Sequence, residues 1–598
     1  MPVKSPVDIE DATLLYTIQV NGSPIKDFYP VLTVDIHHEI NKISYAEITM
    51  IDGDEESSSF PISDSNDLIP GNELSITAGY SGEDEKTIFT GIIVKQGLQL
   101  DADGYTLSVS CKHKAVEMSF SKTEEAFSGK TDSNILQSIF SKYGIDCSID
   151  ATSAQQELLF QKLATDWDLI LCRADFCGYI ITMDGDKVKV GKPDFSSQAV
   201  LRVEFGSSII SFNAELNAEK QVSGLSASAW DIKNQDLLKA TAAEPTINEQ
   251  GNMNAKSLSG KLPNQATLTL SSITPMSADD LKTWADGSLL RMRMGGLKGQ
   301  VSFQGNADVK TGSLIELAGV GDRYNGNAFV SGVTHTLDSG QWTTLVKFGL
   351  DPQGAYEKKG FSYFPATGQM PAIQGLQVAT VKSLHDDPEA QNRISIQLPS
   401  NAQNVDGLWA RLANFYATSG AGAGFLPETG DEVIVGFLES DPRYPVILGS
   451  LYSNAKPPLN TPSDNNNYIK TLTTKSKLKI SFDDEKKIIL IETPGGNKIT
   501  LSDEDKSIGL NDQNNNSVKL SADGIDLNSA GAISIQAKGN ISLQATGKLS
   551  LSAQEDATLS GLNINQTAQV GYTAKGNASA ELSASGQTVV KGAIVMIN

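Results

Sequence analysis

The side chains in this sequence that could do chemistry are few and scattered. The five histidines are His37, His38, His113, His335 and His385. In "HHE", at 37–39, strand alternation would place His37 and Glu39 on one face, where they could begin a metal site. The same alternation is that of an ordinary amphipathic strand, which is the simpler reading. "LHDDP", at 384–388, sets an imidazole beside two carboxylates, the groups of acid–base catalysis, yet it reads better as a loop. "GAGAGFLPETGDE", at 420–432, is rich in glycine but lacks the Gly-Lys-Ser/Thr of a phosphate loop. Cys111, Cys147, Cys172 and Cys177 form no Cys-x-x-Cys pair and read as buried, reduced thiols. No catalytic residue, metal or cofactor is expected, and so no enzyme.

The composition narrows the choices further. A chain of 598 residues with net charge −23 is built from several domains, and it is a poor ligand for nucleic acid or an anionic membrane. The acidity is uneven: residues 464–598 carry 14 acidic residues and 13 lysines, so nearly all the negative charge lies before them. The start has no apolar stretch of signal-peptide type, and no run reaches the roughly 18 apolar residues of a membrane span. Synthesis in the cytoplasm without a signal peptide is expected.

Residues 1–130 alternate as strands. "TDSNILQSIFSKYG" predicts a helix capped by Asp132 or Ser133, and "TDWDLILCRADFCGY" predicts a second one capped by Thr165. Strands return over 200–350, interrupted by a helix that Ser277 caps and Gly295 closes. Two β-rich halves, each with a helical insertion, suggest an internal duplication, although no residue-level repeat is visible. Residues 351–372 read as a linker. Five strands over 373–455 match a small OB-fold barrel, and 456–467 read as a second linker.

The last stretch is different. In "AISIQAKGNISLQATGKLSLSA", Ile533/Ile535, Ile541/Leu543 and Leu549/Leu551 recur every eight residues. Spacing of i and i+2 puts a pair on one face of a strand and on opposite sides of a helix. Two inward side chains per unit are too few for a single-chain solenoid, and a calcium-binding roll would need an aspartate pattern that is missing. Three identical chains wound about one axis would satisfy every ladder group. After Pro494 there is no proline to interrupt such a ladder.

The run from Trp409 to Pro458 resembles the barrel of VgrG spike proteins and of contractile-phage hub–needle proteins. The resemblance lies in Trp409-x-Arg411, the Gly-rich loop, Pro427-x-x-Gly430-Asp431-Glu432-Val433, and Asp441-Pro442-Arg443-Tyr444-Pro445 before an apolar strand ending at Gly449. Segments of the first 350 residues resemble the hub of the same family, and "VVKGAIVMIN" resembles its needle end.

The resemblance implies a mainly β chain with an α+β hub. Residues 1–372 would hold two similar hub β-barrels with helical insertions, 373–455 the OB-fold, 456–467 a linker, and 468–598 an intertwined trimeric β-helix needle. It implies a homotrimer that adapts a hexameric inner tube protein to a three-fold needle among baseplate proteins, with no nucleic-acid partner. A PAAR-type tip protein would dock at Ile594, Val595, Met596, Ile597 and Asn598. Some relatives carry an enzyme domain between barrel and needle. The roughly 15 residues available here are too few for one, so effectors are expected as separate chains. The implied destination is the injection particle, delivered outside the cell or into a target cell.

Overall fold

The computed structural model describes all residues except 1–3, 7–12, 102–103, 232–235, 264–265, 273, 355–364, 400–406 and 598. The chain divides into two units, Met1–Pro457 and Pro458–Asn598.

The first unit is organised by one 13-stranded sheet, made of two halves of six strands each and a two-residue edge strand, Ser23–Pro24. Its first half comprises β1 (Leu14–Val20), β2 (Val31–Glu39), β3 (Tyr45–Ile51), β4 (Glu73–Tyr80), β5 (Lys86–Asp101) and β6 (Gly104–Lys112). Its second half comprises β7 (Leu201–Glu204), β8 (Ile209–Leu216), β9 (Leu297–Gln304), β10 (Leu314–Ala318), β11 (Gly326–Asp338) and β12 (Gln341–Phe348). The pairing order is β1-β4-β5-β6-β3-β2 in the first half and β7-β10-β11-β12-β9-β8 in the second. The same six-strand order therefore occurs twice, with one difference: β1 meets β4 antiparallel, whereas β7 meets β10 parallel. The halves are joined edge to edge by β2 and β11, from Thr33↔Asp338 to Glu39↔Gly332. Each half buries its own apolar core, around Ile36, Ile48, Ile76 and Phe89 in the first and Val301, Phe303, Val330 and Phe348 in the second.

Two insertions carry the helices. The first holds Asp132–Lys142 and Asp166–Phe176. Its first helix is capped one residue earlier than expected, by Thr131, whose hydroxyl accepts from the Asn134 N–H. Thr165 caps the second as expected, accepting from the Asp168 N–H at 3.0 Å. The helices are tied together by buried Arg173, which grips Asp132 at 2.7 and 2.9 Å. The second insertion holds Ala278–Met294, with Ser277 accepting from the Asp280 N–H at 3.0 Å and Gly295 at the end. Part of the expected linker over 351–372 is packed instead: Ala366 and Met370 are buried in the core of the first insertion. Apolar side chains that match a vacancy in a neighbouring core override the loop-like composition around them.

A closed five-stranded barrel follows, built from Gln377–Ser383, Ile394–Gln397, Leu408–Leu412, Glu432–Phe437 and Pro445–Ser450. In the second unit, seven five-residue strands between Ile469 and Asn528 form an antiparallel meander.

Three of the five histidines, His37, His38 and His335, mark the joint between the two halves. His38 on β2 contacts the Ser44 hydroxyl and the Ile88 carbonyl, both at 2.9 Å, and its ring lies 6.4 Å from that of His335 on β11. His335 meets the Thr344 hydroxyl at 3.0 Å. His37 stacks on Tyr45 and touches the Thr334 hydroxyl, while Glu39 pairs with Lys42 and Lys347. Among the described residues no group of three or more His, Cys, Asp or Glu side chains is arranged to hold a metal ion. Burial disfavours the charged imidazole: it pushes His335 down to about 3 and His113 to about 4, and lowers His37 and His38 below 6.5. A depressed folded-state pKa means that the unfolded chain binds protons first. The stability contribution is complete above pH 6.5 and is lost as pH falls toward the folded values. His113 alone should account for about 3 kcal/mol of that loss. Melting temperature measured from pH 7 to pH 4 should fall steeply in the wild type and less in His335→Gln.

Candidate assembly interface

The meander in the second unit has an apolar face and no core of its own. Its register aligns Leu472, Ile480, Ile491, Ile499, Leu510, Val518 and Leu527 in one row across the sheet. Two residues away on the same face, Phe482, Ile489, Leu501, Ile508, Leu520 and Ile525 form a second row. The middle row of the opposite face is Thr471, Ser481, Leu490, Thr500, Gly509, Lys519 and Asp526, polar apart from Leu490. Most of the apolar face is open in the isolated chain: Ile499 is 39% exposed and Leu527 63%. A face of this size left to water is an association surface.

After Asn528 the chain changes regime. Bends recur at 530–531, 538–539, 546–547 and 554–555, and the same spacing continues, with one slip of a residue, to 593–594. The extended segments between the bends carry the apolar pairs. Ile533, Ile535, Ile541, Leu543, Leu549 and Leu551 are between 54% and 84% exposed. Among the described residues beyond Asn528, no strand pairs with another strand of its own chain. The expected β-helix over 468–598 is thus two structures. The meander closes its ladders within one chain, whereas the eight-residue repeat leaves them open. Ile594, Val595, Met596 and Ile597 are exposed at the end, and Asn598 lies outside the described residues.

The barrel motif divides into framework and clamp. Val433 is buried in the barrel core, Trp409 is half-buried on its strand and Arg411 is exposed. Pro427 is buried, and Gly430 turns the chain at φ +84° before Asp431, which pairs with Lys456 at 2.7 Å. Glu432 opens the next strand and Gly449 lies in the last one. Asp441-Pro442-Arg443-Tyr444-Pro445 does more. Fully buried Asp441 holds Arg443 at 2.8 Å, and Arg443 reaches the Gln369 side-chain oxygen at 2.9 Å. Tyr444 donates to the Pro275 carbonyl. Burial works against the Arg443 charge, but Asp441 more than offsets it and raises the guanidinium pKa. Pro442 and Pro445 are buried beside the loop. From the other side, Phe160 of the first insertion enters the barrel core, and Lys162 donates to the Pro399 carbonyl at 2.8 Å. The clamp thus fixes the barrel against both insertions, a role invisible in sequence because its partners lie tens to hundreds of residues away. In "LHDDP", Asp387 accepts from the N–H groups of Gln391 and Arg393 and from the Arg393 guanidinium at 2.7 Å. Burial alone would raise this carboxyl, yet those bonds hold it at about 2, as suits a loop staple rather than a proton carrier.

Comparison with known proteins agrees with this arrangement. Residues 377–452 match the type VI secretion system/phage-baseplate injector OB domain, and 487–547 match the phage baseplate V C-terminal trimerisation domain. The second match straddles the change from meander to repeat. A 100-residue stretch is 32% identical to the type VI secretion system spike protein VgrG4b of Pseudomonas aeruginosa, covering 16% of this chain and 12% of that one. A stretch of 89 residues is 32% identical to the spike protein VgrG3 of Vibrio cholerae, covering 14% and 9%. The chain therefore matches only about a tenth of the length of these relatives. A chain of the Francisella PdpA–VgrG complex shares the fold at TM-score 0.51 and 9% identity, over 87% of this chain and 80% of that one. Two segments of the chain thus match domains of the phage-baseplate and type VI secretion class, and part of it is similar to VgrG spike proteins. More particularly, residues 10–339, over half of the sequence, match the Alg8 N-terminal domain, and the chain belongs to that family.

Three substitutions test the clamp and the repeat. Arg443→Ala strands the buried Asp441 charge and should cost about 3–5 kcal/mol in denaturant unfolding, with the barrel opened to protease. Leu543→Asp should weaken association through the repeat, whereas Lys548→Asp, on the other phase of the repeat, should leave the mass in solution and the melting temperature nearly unchanged.

Proposed function

We propose that this chain is the structural hub and needle of a contractile injection apparatus. Three copies form the spike. Residues 1–372 make a ring that adapts a hexameric inner tube to three-fold symmetry, with baseplate proteins around it. The barrel at 373–455 braces the ring, 456–467 link it to the needle, and 468–598 form a needle driven through a target envelope. Ile533, Ile535, Ile541, Leu543, Leu549 and Leu551 face the needle axis. The end of the repeat at Ile594–Asn598 seats a PAAR-type tip protein, and effectors ride as separate chains. The role is mechanical rather than enzymatic. The protein leaves its cytoplasmic site of synthesis as part of the particle.

The observation that carries this reading is the apolar surface of the second unit: an exposed sheet face and an eight-residue repeat that, among the described residues, pairs with no strand. Apolar side chains repeated at this spacing and open to water in one chain favour burial against other chains. Light scattering of the full-length protein should give three times 63.8 kDa. A truncation ending at Asn466 should associate more weakly. A 63.8 kDa monomer at working concentration would overturn the proposal.

A further inference from the structure

The seam between the two halves of the large sheet is lined with imidazoles. Its inner face sets Val34, Ile36 and His38 of β2 opposite Leu337, His335 and Val333 of β11. His38 and His335 thus interrupt a row of aliphatic side chains, with His335 3% exposed and His38 half-buried. His113, 2% exposed, joins them from the end of β6. Its N–H donates to the Ser44 carbonyl at 2.9 Å, and the Ser44 hydroxyl meets His38 Nδ1. Three rings, from β2, from β11 and from the residue after β6, therefore gather at one point of the seam.

The gathering has little to balance a positive charge. His335 Nδ1 meets the Thr344 hydroxyl, which also accepts from the Asn306 N–H at 3.0 Å, and the charge that bears on the His335 ring is that of His38. His38 is faced by His37 and by Asp184 and Lys310, which pair with each other at 2.6 Å. His113 is faced by Asp186 and His38. On the outer face Asp35, Glu39, Glu47 and Lys347 surround His37, so a charge there has counter-ions within the sheet. A proton on His335 would be a buried charge without a carboxylate, and a second on His38 would stand 6.4 Å away in poorly screened surroundings. Parting the seam hydrates both rings. The seam is seven ladder pairs long, and among the described residues no other strand pairing joins the halves. Leu337 and Trp342, which reach into the core of the first half, hold it shut.

We infer that this seam is an acid-operated joint: protonation of His335 and His38 parts β2 from β11 before either half loses the rest of its core. In the parted state the imidazoles titrate near 6.5, and burial in the closed state lowers both. Below pH 6.5 the parted state takes up protons that the closed state refuses. Each such proton multiplies the opening constant about tenfold per pH unit. The gain continues until pH reaches the closed-state value, about 3 for His335. At neutral pH the halves act as one sheet; in acid they become two bodies tethered by chain. The seam lies within one chain, so this inference is independent of the trimeric reading.

Hydrogen exchange of the full-length protein between pH 6.5 and pH 5, corrected for the intrinsic pH dependence of amide exchange, reads the joint. Amides in 33–39 and 332–338 that bond across the seam should lose protection about tenfold or more per pH unit. Amides in 107–111 and 301–303, inside the two halves, should keep theirs. In His335→Gln, which retains a polar contact for Thr344, the loss at the seam should shrink by about tenfold per pH unit. Asp35→Cys with Thr336→Cys tests the same joint without touching the histidines, on the outer face where Thr336 donates to Asp35 at 2.7 Å. Its disulfide should keep the seam protected at pH 5, and reductant should restore the loss. The joint is overturned by seam protection that stays constant down to pH 5, by a slope that survives His335→Gln, or by loss of seam and core protection together. If His335→Gln does not fold, the cross-linked protein decides: loss of seam protection at pH 5 in its oxidised form overturns the joint as well.

Discussion

Backbone hydrogen bonding without a partner inside the chain is the constraint on which the molecule turns. A buried or extended peptide group must find a donor or acceptor, and a broad apolar face must be covered. The first unit meets both demands nearly everywhere: its sheet, insertions and barrel enclose separate apolar cores. The second unit meets the first demand up to Asn528 and then stops meeting it. The self-paired meander and the unpaired repeat share one rule, two apolar side chains on one face of each extended segment. What changes is where the ladder partner comes from. Strands in the meander start nine or ten residues apart, except the last pair, seven apart across a two-residue turn between Ser521 and Gly524. Hairpins thus close even at that spacing, and period alone does not set the repeat apart.

The repeat was the most legible part of the sequence, because its period excludes a helix and its narrow stripe excludes a single-chain core. The capped helices were also readable, Thr165 and Ser277 by their side chains; the shift from Asp132 to Thr131 reflects that three consecutive capping-type residues offer equivalent starts. The barrel motif was visible as residues, but the partners of Arg443 were not. Gln369 and Pro275 come from segments with no distinguishing composition of their own, and only folding brings them together.

The meander and the duplication were harder for different reasons. Alternation over 469–528 specifies strands but says nothing of whether they pair within a chain or between chains. In the large sheet, the helical insertions fall at different points of the two halves, after β6 in the first and between β8 and β9 in the second. The order of strands along the chain is the same in both halves, but the insertions change the spacing between corresponding strands and so hide the repeat.

The open ladders of the eight-residue repeat also govern the order of events in assembly. The hub and barrel precede the repeat in the chain and can fold around their own cores as synthesis proceeds. In the proposed trimer the repeat would have nothing to fold against until further chains arrive, so its assembly would depend on concentration. Once the chains were interwound, unfolding one would require unthreading it from the others. Stability at that end would then be a matter of escape rate more than of equilibrium.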